Sequence, residues 1–372
     1  MRVLTVNAGS SSLKLALLDG DDEVLGECEL PVGPQGADAD ADALGKALAR
    51  ELGGAEAASH RIVHGGERYR EPVVLDEHVE RQLAELTELA PLHQARSLAA
   101  LATVRRALPG IPHVACFDTA FHAGIPPAAR TYALPASWRE RHPLRRFGFH
   151  GLSHAWVAAR APELLGADPG VRIVSCHLGA GASACAIEGG RSRDTTMGFT
   201  PLEGLVMATR SGDVDPGMLP WLMEHEQLSP AELADALEHR SGLLGLAGSG
   251  DMREVLDAAA SREQRAVLAL AVYVHRLRAG IAAMAAAIGG VQVLVFTGGV
   301  GERAPQVRAQ AAAGLAFLGV ALDGRRNASA RGDCEIGAAG ATVRTLVLHA
   351  REDIELARGA RALLARTHQG FD

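Results

Sequence analysis

An α/β architecture of two domains on one plan is what this sequence predicts, on three observations. Its 372 residues are more than one ordinary core organises. Strand-like and helix-like segments alternate along it. And two stretches read alike, VLTVNAGSSSLKLALL at 3–18 and IVSCHLGAGASACAIE at 173–188. Each is an apolar strand, a turn of Gly and small residues, and an apolar return strand.

Taken in order, residues 3–6 and 13–18 form a hairpin around the first turn. The Pro/Gly/Asp-rich stretch 31–41 is a loop, and 42–52 a helix. Residues 62–63 and 114–117 are buried strands, and 79–108 is helical with an interruption near Pro91. The spaced prolines of 126–143 predict an irregular segment. A second strand–turn–strand fills 171–188. Ser229-Pro-Ala-Glu232 opens a helix, with a Ser N-cap, Pro at the first position and Glu at the third. Ser261 opens a long helix that stops at Gly289-Gly290. VQVLVFTGGVGE is a further strand running into a Gly-rich turn. Residues 352–366 are a helix with acids first and Arg later, as the helix dipole favours.

Composition narrows the function classes. Hydrophobic residues make up 48% and charged residues 22%, as in a globular protein. A net charge of −7 does not suggest a nucleic-acid surface. No block of Lys or Arg reads as a membrane anchor. The longest apolar stretch, 268–290, carries His275, Arg276 and Arg278 and reads as a buried helix. The opening run is too short for a signal peptide and is broken by Asn7 and Gly9. Five Cys with no Cys-x-x-Cys pair read as free thiols in a reducing compartment, and a cytoplasmic protein is expected.

Three Gly-rich turns follow strands: 7–12, 178–183 and 297–302. Such turns expose consecutive backbone N–H groups that phosphate oxygens can approach, although tight hairpins use Gly as well. None fits the P-loop pattern or a dinucleotide fingerprint. Arg61 in HRIVHGGE and Arg210 in MATRSGDVDPG sit beside a strand and in a turn. Each suits a carboxylate or phosphate through its planar fork, or a structural ion pair with Asp213, Asp215 or Glu67. His60, His64, His93, His122, His150, His154 and His177 fall in polar, Gly-containing segments without zinc-ligand spacing. Asp118 ends a buried strand, where a carboxylate contacts a metal or substrate, or caps the following turn.

Together these segments resemble the acetate kinase family. The resemblance runs from residue 3 to about 358, through NAGSSSLK, HRIVHGGE, APLH, FDTAFH, RRFGFHGLSH, SCHLGAGAS, DTTMGFTPLEGLVMATRSGDVDPG, SGLLGLAGSGDMRE and FTGGVGE. It implies two duplicated domains of the actin, sugar-kinase and Hsp70 type around a nucleotide cleft. The first would take 1–120 and 354–372, and the second 121–353, with most of the nucleotide site. It implies reversible transfer of the γ-phosphoryl group of ATP to acetate, with Mg²⁺ (or Mn²⁺) and ATP/ADP, in a homodimer.

Residue by residue, the resemblance places Asn7 and Glu352 near the metal, with Ser10, Ser12 and Lys14 on the first turn. Arg61 and Arg210 grip the acid and the transferring group. Asp118 positions metal and acid, His150 bonds the phosphoryl group in flight, and His93 and His177 are further site histidines. Gly179 and Gly181 line the phosphates; Asp251, Met252 and Arg253 flank adenosine; and Gly299 and Gly301 floor its pocket. Val63, Leu92, Phe149 and Pro201 match the methyl pocket, and Val63 suits acetate over a longer acid. The chain departs from the family pattern at Ala180, Gln94-Ala95, Arg303 and Arg351, mostly on the nucleotide side. Three alternatives share the resemblance: a propionate or other short-chain acyl kinase, a donor other than ATP, and a non-catalytic nucleotide-binding regulator. The histidines alone leave room for a metal-dependent hydrolase.

Overall fold

A computed structural model describes residues 1–9, 12–31, 41–50, 52–89 and 91–369, without the side chains of 41–43, 49, 88–89, 91–93 and 368–369. The chain gathers into two compact units. One takes 1–123, 151–156 and 351–372, and the other 124–150 and 157–350.

The first unit is built on β1 (Val3–Ala8), β2 (Ser12–Leu18), β3 (Val24–Pro31), β4 (Ala57–Ile62), β5 (Val73–Val74) and β6 (His113–Phe117). Their order across the sheet is β3-β2-β1-β4-β6-β5. β1, β4 and β6 run parallel and the remaining pairs antiparallel. Alternation of side chains sends Leu4 and Val6 to one face, with Leu13, Leu15 and Leu17, where they meet Leu44 and Leu48 of the helix Ala41–Arg50. The opposite face carries Val3, Ala57, Val114 and Cys116. It is covered by Ile354, Leu356, Ala357, Ala360 and Leu364 of the last helix, Glu352–Gln369. That i, i+3, i+4 stripe is why a helix 230 residues or more from most of the sheet belongs to its core.

The second unit repeats the plan. Its strands are β7 (Arg172–Leu178), β8 (Ala182–Glu188), β9 (Arg191–Thr195), β10 (Val293–Thr297), β11 (Cys334–Glu335) and β12 (Arg344–Val347). Their order is β9-β8-β7-β10-β12-β11. β7, β10 and β12 are parallel, the other pairs antiparallel. Each strand therefore has a counterpart with the same neighbours and directions, and the two similar stretches are β1–β2 and β7–β8. The α/β architecture on a duplicated plan is as the sequence predicts.

Local differences have local causes. The segment 126–143 is not irregular throughout: Pro127–Arg130 and Ala136–Arg141 are short helices that begin at or just after a proline. Ser261 closes the helix Met252–Ala260, and the long helix Gln264–Ala287 begins after Glu263. Between them Arg262 turns the chain at φ 64°. The third Gly-rich segment is a helix, Gly298–Arg303. The Ser229 capping box forms as expected. Most of the predicted 31–41 loop lies outside the described residues.

Gln264–Ala287 is long and apolar enough to cross a membrane by length and composition alone. Its face of Ala266, Leu270, Tyr273, Val274, Leu277, Ile281 and Met284 is buried within the second unit. Cys116, Cys176 and Cys185 are buried free thiols.

Candidate active site

In the first unit the parallel strands β1, β4 and β6 end at one edge of the sheet, where ligands of open α/β sheets bind. Asn7 lies near the end of β1, Arg61 near the end of β4, and Asp118 just past β6. Arg61 donates through Nε to both Asp118 oxygens at 3.0 and 3.1 Å, and through Nη2 to Oδ2 at 2.6 Å. Its Nη1 donates to Asn7 Oδ1 at 3.0 Å, and Asn7 Nδ2 donates to Glu352 Oε2 at 2.9 Å. One chain of bonds thus runs from Asp118 through Arg61 and Asn7 to the first residue of the last helix.

Asp118 is almost fully buried. Burial pushes its carboxyl above the usual range and Glu352 adds to that, while Arg61 opposes it. Burial disfavours the Arg61 charge too, but Asp118 and Glu352 outweigh it and hold the guanidinium protonated. Two carboxylates thus face one guanidinium in a half-dry setting. Val63, next to this set, is buried, and Lys14 is exposed on β2 opposite Asn7. Ser10 and the side chains of Leu92 and His93 lie outside the described residues.

The second unit brings together a different set. His177 sits near the end of β7, and the turn to β8 holds Gly179 and Gly181. His150 occupies the left-handed region at φ 56°, a strained place for a side chain with a Cβ. Its ring lies 4.4 Å from that of His177, and its Nδ1 is 2.9 Å from Ser183 Oγ. A Cβ at Gly181 would sit 3.1 Å from His150 Nε2 and 3.5 Å from Arg210 Nη1. The space a side chain would fill at Gly181 is therefore bordered by an imidazole nitrogen and a guanidinium nitrogen. The Ala180 carbonyl accepts from Ala208 N–H at 3.0 Å, which ties the turn to the segment ahead of Arg210.

Arg210 does not pair with Asp213 or Asp215. Its Nε lies 3.7 Å from Glu238, and its Nη1 donates to the Pro201 carbonyl at 3.4 Å. Asp213 and Asp215 instead accept from the backbone of Gly204 and Gly217. Gly242, at φ 60°, packs where any Cβ would overlap the carbonyls of Met207 and Arg210.

His60, His64, His122 and His154 of the first unit are buried. His60 is buried against His113, with Nε2 2.9 Å from Nδ1, and burial and that neighbour push its pKa down to about 3. His64 is buried, lowered to about 4, and its Nδ1 accepts from Gly66 N–H. Gln94 bonds both the N–H and the carbonyl of His64, a packing role for that departure from the family pattern. His122 and His154 meet edge to face.

The remaining candidates are more structural than a sequence suggests. Asp251 caps the helix Met252–Ala260 and is paired with the Arg253 side chain, while Met252 is buried. Gly301 packs on Phe296, whereas space is open at Gly299. Phe149 is buried and Pro201 half-buried. Arg303 is exposed, and Arg351 pairs with Asp353.

Sequence reasoning missed Ser183, Glu238, Glu302 and Arg308. Glu302 accepts from Gly298 N–H and Ala350 N–H and meets His349. Arg308 is fully buried without a carboxylate among its described bonds. It donates to the carbonyls of Gly301, Glu302 and Asn327 and to Asn327 Oδ1, which closes the Gly-rich helix at its far end. Ser183 and Glu302 had a signal, their places at the ends of the second and third Gly-rich turns.

A duplicated α/β plan with guanidinium, carboxylate and imidazole groups at its strand ends offers the charge-offsetting and hydrogen-bonding groups that a phosphotransferase uses. The acetokinase family model matches residues 35–358. The acetate kinase of Leifsonia xyli subsp. xyli (strain CTCB07) is 44% identical, covering 98% of this chain and 99% of its own length. The crystal structure of Porphyromonas gingivalis acetate kinase is 36% identical, with a TM-score of 0.88 over 98% of this chain and 99% of that one. A propionate kinase from Francisella tularensis subsp. tularensis SCHU S4 is 31% identical, with a TM-score of 0.89 over 96% and 98%. The chain belongs to the acetokinase family.

Proposed function

We propose that this protein catalyses reversible transfer of the γ-phosphoryl group of ATP to acetate, giving acetyl phosphate and ADP. The observation that carries the reading is the part-buried, hydrogen-bonded arrangement of Asn7, Arg61, Asp118 and Glu352, set in a chain of the acetokinase family. Acetate is already an anion, so the reaction needs no general base. It needs the acid brought against a negatively charged phosphate, and positive charge offsets that repulsion.

Arg61 and Arg210 supply this charge. His150 donates to the phosphoryl group through Nε2, with its ring oriented by Ser183 and lying 4.4 Å from the ring of His177 at a 32° tilt. Gly179 and Gly181 let phosphate oxygens approach the backbone. Transfer is direct and in line, with no phosphoenzyme. The likeness to the family assigns Val63, Leu92, Phe149 and Pro201 to the acid's methyl group. Lys14, Asp251, Met252, Arg253, Gly299 and Gly301 serve the nucleotide, Met252 and Gly301 through packing.

The first unit's set suits Mg²⁺. Two carboxylates against one guanidinium leave an excess negative charge, and the donors are hard oxygens. Among the described residues no three His, Cys, Asp or Glu gather as a self-sufficient metal site. That agrees with a cation held by one or two protein oxygens and by substrate phosphates. Glu352 and Asn7 would hold it, and when bound it neutralises charge on the transferring group. The reading includes a homodimer in the cytoplasm.

The likeness to a propionate kinase favours propionate as a second, poorer substrate, since one methylene changes specificity only modestly. A hydroxamate assay with ATP, Mg²⁺ and either acid tests the proposal. Acyl phosphate that forms best with acetate and needs Mg²⁺ supports it; no product with either acid overturns it.

A further inference from the structure

A polar network in the second unit, outside the residues assigned above, surrounds Gly198. Arg146 donates through Nη1 to the carbonyls of Thr196 and Met197, at 3.1 and 3.0 Å. Its Nη2 is 2.6 Å from Glu203 Oε1. The other Glu203 oxygen accepts from the Tyr132 hydroxyl, which itself accepts from Phe199 N–H at 2.9 Å. A Cβ at Gly198 would overlap both the Glu203 carboxylate and the Tyr132 hydroxyl.

Every backbone group bound by these three side chains belongs to residues 196–199, immediately ahead of Pro201. The Gly198 carbonyl accepts from Phe147 N–H and Gly148 N–H at 3.0 and 3.2 Å, immediately ahead of Phe149 and His150. Pro201 in turn accepts from Arg210. The network therefore fixes the separation of the two segments that carry Phe149 and Pro201. Shifts of a few tenths of an ångström there change the room for one methylene, the scale on which short acids differ.

We propose that Tyr132, Arg146 and Glu203 are positioning residues for acid selection, holding residues 196–201 against 146–149; this rests on the reading of Phe149, Pro201 and Arg210 as acid-side residues. None of the three touches substrate. Their hold on the backbone sets the shape the acid meets, so their loss acts on the acid and not on the nucleotide.

The test compares wild type with Tyr132→Phe and Glu203→Gln, measuring kcat and KM for acetate, propionate and ATP together with the melting temperature. Loss of one part-buried hydrogen bond predicts an acid KM raised up to about tenfold. The acetate-to-propionate ratio of kcat/KM shifts at least about threefold, while KM for ATP stays within about twofold. Glu203→Gln keeps the volume and one acceptor oxygen, so it carries the test should Tyr132→Phe not fold. An active wild type whose folded variants keep both acid KM and the acid ratio overturns this inference alone. So do variants in which acid and ATP parameters fall together with the melting temperature. A wild type inert toward both acids removes the functional reading, and this inference with it.

Discussion

The two sheets share their strand order, yet their parallel strands end in opposite chemistry. The paired registers make Asn7 the counterpart of His177, and Arg61 that of Thr297. They also make Asp118 the counterpart of Ala350. The first unit thus ends in amide, guanidinium and carboxylate, and the second in imidazole, hydroxyl and methyl. The backbone differs in the same place. Asp118 N–H continues the ladder to Ile62, whereas Ala350 N–H goes to Glu302 because a helix begins at Gly298. Duplication fixed where groups stand at a strand end, and the residues then divided the chemistry: charge in one unit, Gly-flanked imidazoles in the other.

The largest expected effect tests that division directly. Arg61→Ala should lower kcat/KM for acetate by about 10²–10³-fold, the scale of losing one group that stabilises developing charge. It also leaves Asp118 buried without its partner, so the melting temperature should fall as well. Thr297→Val, at the counterpart position, should leave kcat/KM within about threefold, the small end of single-site effects. Thr297 Oγ1 is buried with no hydrogen bond, so an isosteric methyl leaves no partner stranded and should hold or raise stability. Comparable losses at both positions would break the comparison.

Next come the two arginines against each other. Arg210→Ala should cost about 10²-fold in turnover. Glu238→Gln removes only a carboxylate 3.7 Å away and should cost less than about tenfold. On the charged side, Glu352→Gln should raise the Mg²⁺ concentration for half-maximal activity about tenfold, as for loss of one hard ligand. The same change should hardly alter KM for acetate, which Mg²⁺ titration against acid titration separates.

What a sequence could reveal of this comparison depended on distance along the chain. The hairpins β1–β2 and β7–β8 were legible because apolar strands and their Gly turns are contiguous. Arg61 and Asp118 each stood out, but their pairing spans 57 residues and left each with a bland reading. The ion-pair alternative for Arg210 named Asp213, Asp215 and Glu67 and not Glu238, which lies on a later helix. GGVGE read as a turn because its helix depends on distant groups, with Glu302 tied to Ala350 and Arg308 tied to Asn327. The part-buried network of Tyr132, Arg146 and Glu203 was not singled out even though Arg146 and Glu203 lie in family motifs, since its logic is in the backbone it binds.

The smallest effect separates the units by acid. His60, in the first sheet, has Phe296 as its counterpart in the second. In the unfolded chain its imidazole takes a proton near 6.5, but in the fold only near 3, and His64 behaves alike with a value of about 4. Between those limits the unfolded chain binds more protons, so stability falls as pH drops. Each histidine contributes a slope of up to about 1.4 kcal/mol per pH unit through that window. Hydrogen exchange at pH 5 should therefore open β4 and β6 before β7 and β10. His60→Phe, which copies the residue of the second sheet, should flatten the loss of stability between pH 6.5 and 4 in urea unfolding. Equal protection of both sheets at pH 5, with no change of slope in the variant, would mean that the buried histidines do not set the acid limit of the first unit.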